Sequence, residues 1–200
     1  MNYLKFKNKI DPTILTSIKF RIWELIKADS FDYGLSNRNR GMFPGKDRGS
    51  FSKYFPVESD QLLSCMFGNI PKTDYLKRGV FHLYFSTAAP DTYLEIHVDN
   101  KRRCAINFNL AGCDGLGIEF YRSLSNSSDV VIPKSDTELI DSVVLGYDDI
   151  MVMDTKVYHG VDIDFVRKQD TLLLSYGFPN LQDEESFEQV VERLRALDLV

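Results

Sequence analysis

The sequence predicts a mainly β domain, in which an antiparallel sandwich or barrel is flanked by helices. Short alternating or apolar runs follow one another from about residue 77 to residue 178, separated by Gly, Asn, Asp, Ser and Pro. Apolar residues recur at helical spacing near both ends of the chain. Because 200 residues suit one domain with a substantial core, we expect a single domain over 1–200. Its parts would be a helical and loop region (1–76), a β core (77–178) and a C-terminal helix (182–200).

The composition places the chain among ordinary globular proteins, with 44% apolar and 26% charged residues. A net charge of -5 gives no general reason to expect nucleic-acid binding. No signal peptide or membrane-spanning stretch is visible, so no membrane partner is expected. The chain has three cysteines, Cys65, Cys104 and Cys113. Their odd number, and the absence of metal-finger spacing between them, favour a reducing, cytoplasmic location.

The first 57 residues predict an edge strand, a helix and a long loop. Residues 3–6 form the strand, and Asp11 and Pro12 then suit the N-cap and first position of a helix over 12–28. Residues 29–57 lose all periodicity and mix glycines, basic residues and aromatics. Such a loop is often a lid or a binding loop, although aromatics that merely anchor it to the core explain the pattern equally well. The candidate substrate-binding residues in it are Arg38, Arg40 and Phe43.

The β core is predicted from a series of short strands. In residues 79–86, apolar side chains alternate with others, as in a strand. In 103–110, one face of the predicted strand is small or polar and carries Ala105, Asn107 and Asn109. In the final helix, acidic residues occupy the first turn, where the positive end of the helix dipole favours them. The remaining predicted strands are 117–122, 130–132, 139–145, 150–154, 161–163 and 171–178.

The candidate site begins with His97 and Asp99, which stand two residues apart between an extended run and a polar turn. This spacing puts both side chains on the same face of a strand. Taken alone, His97 is typical of a core imidazole and Asp99 of a turn-capping carboxylate. With His159 as a third group, the set becomes two His and one carboxylate, which leave metal positions open as in non-haem Fe(II) oxygenases.

The segment before His159 strengthens this interpretation. A Gly-x-Asp-Asp turn at 146–149 leads into an apolar strand, a short polar link and then His-Gly-Val at 159–161. Over about residues 78–178 the sequence resembles the 2-oxoglutarate- and Fe(II)-dependent dioxygenase superfamily. The resemblance implies a double-stranded β-helix (a jelly roll, cupin-like) with His97 on its second strand and His159 on its seventh. It also implies that His97, Asp99 and His159 bind Fe(II), with 2-oxoglutarate and O2 as cosubstrates.

The cation that would bind the distal carboxylate of 2-oxoglutarate is less clearly placed. The family usually supplies it near the start of the last strand, about ten residues after the distal His, where this chain has Asp170 or Thr171. Arg167 is the nearest cation, and Lys168, Arg103 and Arg122 are alternatives. The three consecutive basic residues at 101–103, which include Arg103, are more typical of a solvated turn than of a substrate-binding patch. The alternation of side chains between the two faces of each strand adds Asn107, Tyr84 and Ser175 as candidates for hydrogen bonds to the cosubstrate. For His82, a structural role is expected.

The function that the resemblance implies is hydroxylation of a C–H bond, with succinate as the coproduct. The expected substrate is a peptidyl residue of prolyl or aspartyl type, or a small metabolite. Two other classes remain open at this point. One is a metal-dependent cupin-like isomerase or hydrolase, and the other is a non-catalytic jelly-roll binding module in which the His and Asp residues are accidental.

Overall fold

The computed structural model describes residues 1–7, 11–28, 50–55, 79–84, 96–99, 102–111, 115–125, 127–147, 149–162, 164, 171–177 and 186–196. These residues form nine strands and two longer helices. The strands are β1 (Tyr3–Lys7), β2 (Ser50–Phe55), β3 (Gly79–Tyr84), β4 (Cys104–Ala111), β5 (Leu116–Ser123), β6 (Thr137–Leu145), β7 (Asp149–Asp154), β8 (Tyr158–Val161) and β9 (Thr171–Gly177). The helices are α1 (Pro12–Ala28) and α2 (Phe187–Ala196).

The strands are arranged in two antiparallel sheets. The main sheet has the order β1-β7-β4-β9-β3-β2, and the minor sheet has the order β6-β5-β8. Neighbours in the main sheet are far apart in sequence, so each pairing closes a long loop that local patterns do not specify. The mainly β architecture with flanking helices is therefore confirmed.

A core of apolar side chains fills the space between the two sheets. Alternate residues of β4, β7 and β9 point toward the minor sheet, whose own alternate residues point back. Burying a large apolar side chain contributes about 1.5–3 kcal/mol, so this layer holds the sheets together. Its members are Ala105, Met151, Met153 and Leu173 from the main sheet, and Leu116, Ile118, Phe120, Val143 and Leu145 from the minor sheet.

The helices cover the other face of the main sheet. Helix α1 contacts β4, and α2 contacts both β4 and β7. Leu15 and Ile18 of α1 are buried, as is the apolar stripe of α2 (Phe187, Val190, Val191 and Leu194). With both faces covered, β7 is buried almost along its whole length. Among the described residues, Leu139, Ile140 and Val144 of β6 in the minor sheet are exposed.

Side chains cap both helices at their starts. The Asp11 carboxylate accepts a hydrogen bond from the backbone N–H of Thr13 (2.8 Å), as its predicted N-cap role requires. At α2, Ser186 and Gln189 form a reciprocal capping box: Ser186 N–H donates to Gln189 Oε1 (2.8 Å), and Gln189 N–H donates to Ser186 Oγ (3.4 Å). Neither described helix is long and apolar enough to cross a membrane.

Two predicted boundaries are wrong, and the strand predicted at 130–132 is only an isolated bridge between Val131 and His97. The loop predicted over 29–57 contains β2, which pairs residue for residue with β3. The strand predicted at 161–163 begins earlier, at Tyr158, so it includes His159 itself. In both places the strand is stabilised by a partner distant in sequence, which overrides weak local alternation. Residues 29–49 and 56–78 lie outside the described part of the chain.

Candidate metal centre

The two histidines of the candidate site lie directly opposite each other in a backbone pair. His97 N–H donates to His159 O (3.0 Å), and His159 N–H donates to His97 O (2.9 Å). Residues that exchange both hydrogen bonds face each other across an antiparallel pair, so their side chains lie on the same side. The ring centroids are accordingly 4.5 Å apart. Residues 96–98 thus extend the minor sheet beyond β8, and their far edge bonds to Val130 and Ile132.

Asp99 is brought to the two histidines by the turn that follows His97. Its backbone N–H donates to Thr155 O (2.9 Å), and Lys156 Nζ donates to its carbonyl oxygen (2.7 Å). Its Oδ1 lies 3.8 Å from His97 Nε2. One ligand atom from each of His97, Asp99 and His159 lies within 4.8 Å of the others. The three residues that the sequence singled out therefore form one cluster.

The imidazole of His159 is prepared as a neutral ligand. Its Nδ1 lies 2.9 Å from Val157 O, and because a carbonyl only accepts, this nitrogen carries the proton and Nε2 keeps its lone pair. Burial, together with the neighbouring His97, lowers the pKa of His159 to about 4 against the opposing effect of Asp99. A neutral imidazole with one nitrogen fixed by a carbonyl is the form that binds a metal.

The carboxylate of Asp99 is held by Arg102. Burial by itself would raise the pKa of Asp99, but the charge of Arg102, the electrostatic interactions with the two imidazoles and the hydrogen bond from Arg102 together lower it. Both Nε and one terminal nitrogen of Arg102 lie 2.7 Å from Asp99 Oδ2. Asp99 is thus ionised, with one oxygen bound to the guanidinium and Oδ1 on the side of His97.

Arg102 also connects the cluster to the inner face of the main sheet. Its second terminal nitrogen donates to Ser175 Oγ (2.9 Å), and Ser175 stands opposite Asn107 in the β4–β9 register. Asn107 Nδ2 donates to Met153 Sδ (3.0 Å), whereas its buried Oδ1 has no partner among the described residues. Asn107 and Ser175 are therefore buried on the face that alternation predicted, and their cosubstrate role remains a prediction.

The solvated turn predicted at 101–103 is wrong for Arg102. Its side chain is only 24% exposed and is paired with Asp99, whereas its neighbour Arg103 is exposed. The available signal was the spacing of three residues from Asp99, which allows an arginine to reach back across a turn. Strand periodicity does not detect such a contact.

The other predicted site residues whose side chains are described, Arg103 and Arg122, are exposed and lie outside the cluster. Arg122 is exposed and pairs with Glu138. Tyr84 pairs with Thr171 in the backbone register, so it stands at the start of β9, and Thr171 is buried there. The remaining candidates lie outside the described residues and stay predictions: Arg167, Lys168, Arg38, Arg40 and Phe43.

Known structures share this architecture. The carbocyclase SnoK from nogalamycin biosynthesis, described as non-haem and α-ketoglutarate-dependent, matches with a TM-score of 0.56 at 10% identity, over 96% of this chain and 86% of that chain. A prolyl hydroxylase from Trichoplax adhaerens, in complex with a peptide fragment, matches with a TM-score of 0.50 at 13% identity, over 89% and 84%. The chain has the double-stranded β-helix fold of the 2-oxoglutarate oxygenases. No protein-family model and no curated protein sequence matches it.

The double-stranded β-helix comprises β3, the segment 96–98 and the strands β4 to β9. Counted in this way, His97 lies on the second strand and His159 on the seventh, as the sequence resemblance predicted. Strands β1 and β2 are additional and occupy the two edges of the main sheet. The cluster therefore lies on these two strands and at the turn after the second strand, and its role as a set of metal ligands stays a prediction.

Proposed function

We propose that this protein is an Fe(II)- and 2-oxoglutarate-dependent oxygenase that hydroxylates a C–H bond. The observation that carries the proposal is the convergence of His97, Asp99 and His159, whose ligand atoms lie within 4.8 Å of one another. The double-stranded β-helix supports it, because a solved enzyme described as non-haem and α-ketoglutarate-dependent shares this fold.

The donor chemistry of the cluster fits the proposed metal. Two imidazole nitrogens and one carboxylate oxygen form the set associated with non-haem Fe(II) oxygenases, and such a set leaves coordination positions for small molecules. Asp99 is ionised and His159 is neutral with its proton on Nδ1, which are the protonation states that metal binding needs. His97, Asp99 Oδ1 and His159 Nε2 would hold the ion.

When bound, iron and 2-oxoglutarate supply the oxidation: O2 provides one oxygen atom to the substrate hydroxyl and one to succinate, with loss of CO2. The chain's own residues bind and orient. Asn107 and Ser175 offer buried polar groups on the inner face of the main sheet, where Ser175 accepts a hydrogen bond from Arg102, and we propose that they contact the cosubstrate. Met151 and Met153 beside them are buried and would exclude water from the reacting groups.

The proposed substrate is a peptidyl residue of prolyl or aspartyl type, or a small metabolite. The two structural neighbours are consistent with both classes, since one is named for a biosynthetic carbocyclase and the other contains a peptide. The candidate contacts of the substrate are Arg38, Arg40 and Phe43, and Arg167 or Lys168 is the candidate cation for the distal carboxylate.

Anaerobic loading with Fe(II), followed by addition of 2-oxoglutarate, tests the proposal. We expect stoichiometric metal binding, a weak visible absorption band from the chelated cosubstrate, and succinate formation once O2 is admitted. Metal binding without the band would instead indicate a cupin-like metal enzyme of another reaction class. Absence of both would indicate a non-catalytic binding module and would overturn the proposal.

A further inference from the structure

We infer that Arg102 is a positioning residue of the metal centre, which fixes the Asp99 carboxylate so that only Oδ1 is presented to the metal. The inference rests on the proposed function, because it assigns Asp99 as a ligand. Arg102 itself would contact neither metal nor cosubstrate in this role. It acts through Asp99 at one end of its guanidinium and through Ser175 at the other.

The division between the two carboxylate oxygens is the first step of the argument. Nε and one terminal nitrogen of Arg102 both lie 2.7 Å from Asp99 Oδ2. A charge-assisted hydrogen bond from Nε and an ion pair with the terminal nitrogen, both at one oxygen, restrict rotation of the carboxylate about its Cβ–Cγ bond. Oδ1 is the oxygen that lies 3.8 Å from His97 Nε2. A single oxygen is therefore directed toward the imidazoles, and the carboxylate is expected to bind the metal through that oxygen.

The second step is the link between the two sheets. Asp99 follows the segment that pairs with β8 of the minor sheet, whereas Ser175 lies on β9 of the main sheet. The guanidinium of Arg102 bonds to both. Because its nitrogens lie in one plane at fixed separations, the position of β9 determines where the Asp99 carboxylate is held. A lysine has one nitrogen in place of this fork and would be expected to satisfy only one of the two partners.

The surroundings make this link stronger than an ordinary surface ion pair. The Asp99 side chain is 15% exposed and the Arg102 side chain 24%, and Ser175 is buried. Exposed pairs are weak because water and salt screen them, and partial burial reduces that screening. Groups that hold metal ligands in this way commonly change metal affinity about 10–100-fold when they are replaced.

The backbone of the turn is held separately from the guanidinium, which makes substitution informative. Thr155 Oγ1 donates to Arg102 O (2.5 Å), and Thr155 N–H donates to Arg103 O (3.2 Å). Asp99 N–H donates to Thr155 O. These bonds involve no atom of the Arg102 side chain beyond Cα. The turn is therefore expected to keep its path when Arg102 is shortened, while the carboxylate loses its restraint.

Calorimetric titration with Co(II) under anaerobic conditions, together with the visible Co(II) spectrum, tests the inference. We expect Arg102→Gln to weaken Co(II) binding about 10-fold or more and to change the spectrum, because a freed carboxylate also offers Oδ2 to the metal. Arg102→Lys should recover part of the affinity, and Ser175→Ala should weaken binding less than Arg102→Gln. Arg195→Gln replaces an exposed arginine of α2 and should leave both measurements unchanged.

The outcomes separate this inference from the proposed function. If the unaltered protein binds no Co(II), the proposed function fails. If it binds Co(II) and Arg102→Gln retains the same affinity and spectrum, the proposed function stands and the role of Arg102 is refuted. Thermal unfolding of the metal-free variants checks the fold. Should Arg102→Gln not fold, Arg102→Lys decides, since equal affinity and an equal spectrum in that variant also refute the inference.

Discussion

His97 and His159 exchange both of their backbone hydrogen bonds, at 3.0 and 2.9 Å, although 62 positions of the numbering separate them. Their side chains therefore share a face by backbone register. A register slip of one residue would turn one of the two imidazoles to the opposite face. The geometry of the proposed metal centre thus depends first on strand pairing and only then on the side chains.

His159→Ala is predicted to abolish metal binding and succinate formation while the sheets remain paired. The pairing is made by backbone atoms, so the substitution removes a ligand and little else. We expect metal affinity to fall about 100-fold or more, since even groups outside the ligand set are worth 10–100-fold. The change is measured by anaerobic calorimetric titration with Fe(II).

Tyr158→Phe is the matched control for this prediction. Tyr158 precedes His159 on β8 and packs against Ile96, Tyr121 and Ile132, and its hydroxyl bonds to Ser127 O and Asp129 O. The Tyr158→Phe variant should bind the metal with the same affinity as the unaltered protein. Unchanged turnover by His159→Ala would contradict the assignment of the centre.

Asn107→Ala and Asn109→Ala are predicted to separate function from stability. Asn109 Nδ2 donates to Leu145 O across the two sheets (3.0 Å), whereas the hydrogen bond that Asn107 Nδ2 donates within the described residues goes to the thioether of Met153. Losing the Asn109 bond leaves a buried carbonyl short of a partner, which costs about 1–3 kcal/mol. Asn107→Ala should be less destabilising but should raise the KM for 2-oxoglutarate severalfold.

Urea unfolding and succinate kinetics on the same two variants make the comparison. A KM for 2-oxoglutarate that is unchanged in Asn107→Ala would remove this residue from the cosubstrate site. A larger loss of stability in Asn107→Ala than in Asn109→Ala would contradict the assigned hydrogen bonding.

Asp149→Asn is predicted to lower stability at neutral pH and much less in acid. Burial alone would raise the pKa of Asp149, but hydrogen bonds from Lys7 Nζ (2.6 Å) and Gly146 N–H (3.0 Å) and the charge of Lys5 lower it. Because the folded-state pKa lies below the unfolded value of about 3.9, the stabilisation is fully present above that value. It is lost as the pH falls through the folded-state pKa.

The free energy of unfolding should therefore differ between Asp149→Asn and the unaltered protein by about 1.5–3 kcal/mol at pH 7, the usual range for bonds to a charged group. The difference should shrink below about pH 4. Glu192→Gln, an exposed acid on α2, serves as the control and should show little difference at either pH. A difference for Asp149→Asn that does not vary with pH would refute the ion-pair explanation.

Gly115→Ala is predicted to be destabilising because of the conformation at the start of β5. Gly115 has φ of 88°, a left-handed conformation that disfavours L side chains. A Cβ there would lie 2.6 Å from Val144 Cγ1 and 3.1 Å from Leu145 O. A residue held in such a strained conformation costs about 1–3 kcal/mol. Chemical denaturation should therefore show a free energy of unfolding that is lower by this amount in Gly115→Ala. Unaltered stability would mean that the turn adopts another conformation.

The sequence by itself determined the elements whose signals are local. The alternation of 103–110 and the apolar run of 150–154 correspond to β4 and β7, and the cap at Asp11 corresponds to the start of α1. The spacing of His97 and Asp99 placed two groups together, and the pattern of two His and one carboxylate added His159 as the third, which the resemblance to a known family then supported. Each of these features depends on residues within a few positions of one another or on a motif that can be recognised in the sequence.

Only the tertiary structure decided the contacts made between distant segments. Strand β2 exists as a partner of β3, and β8 begins at Tyr158 because it pairs with β5 on one side and with His97 on the other. Arg102 left no periodic signal, since an arginine in a polar turn is usually solvated. Its position was decided by a carboxylate three residues earlier and by a serine 73 residues later, because a guanidinium is fixed where both partners can be reached at once.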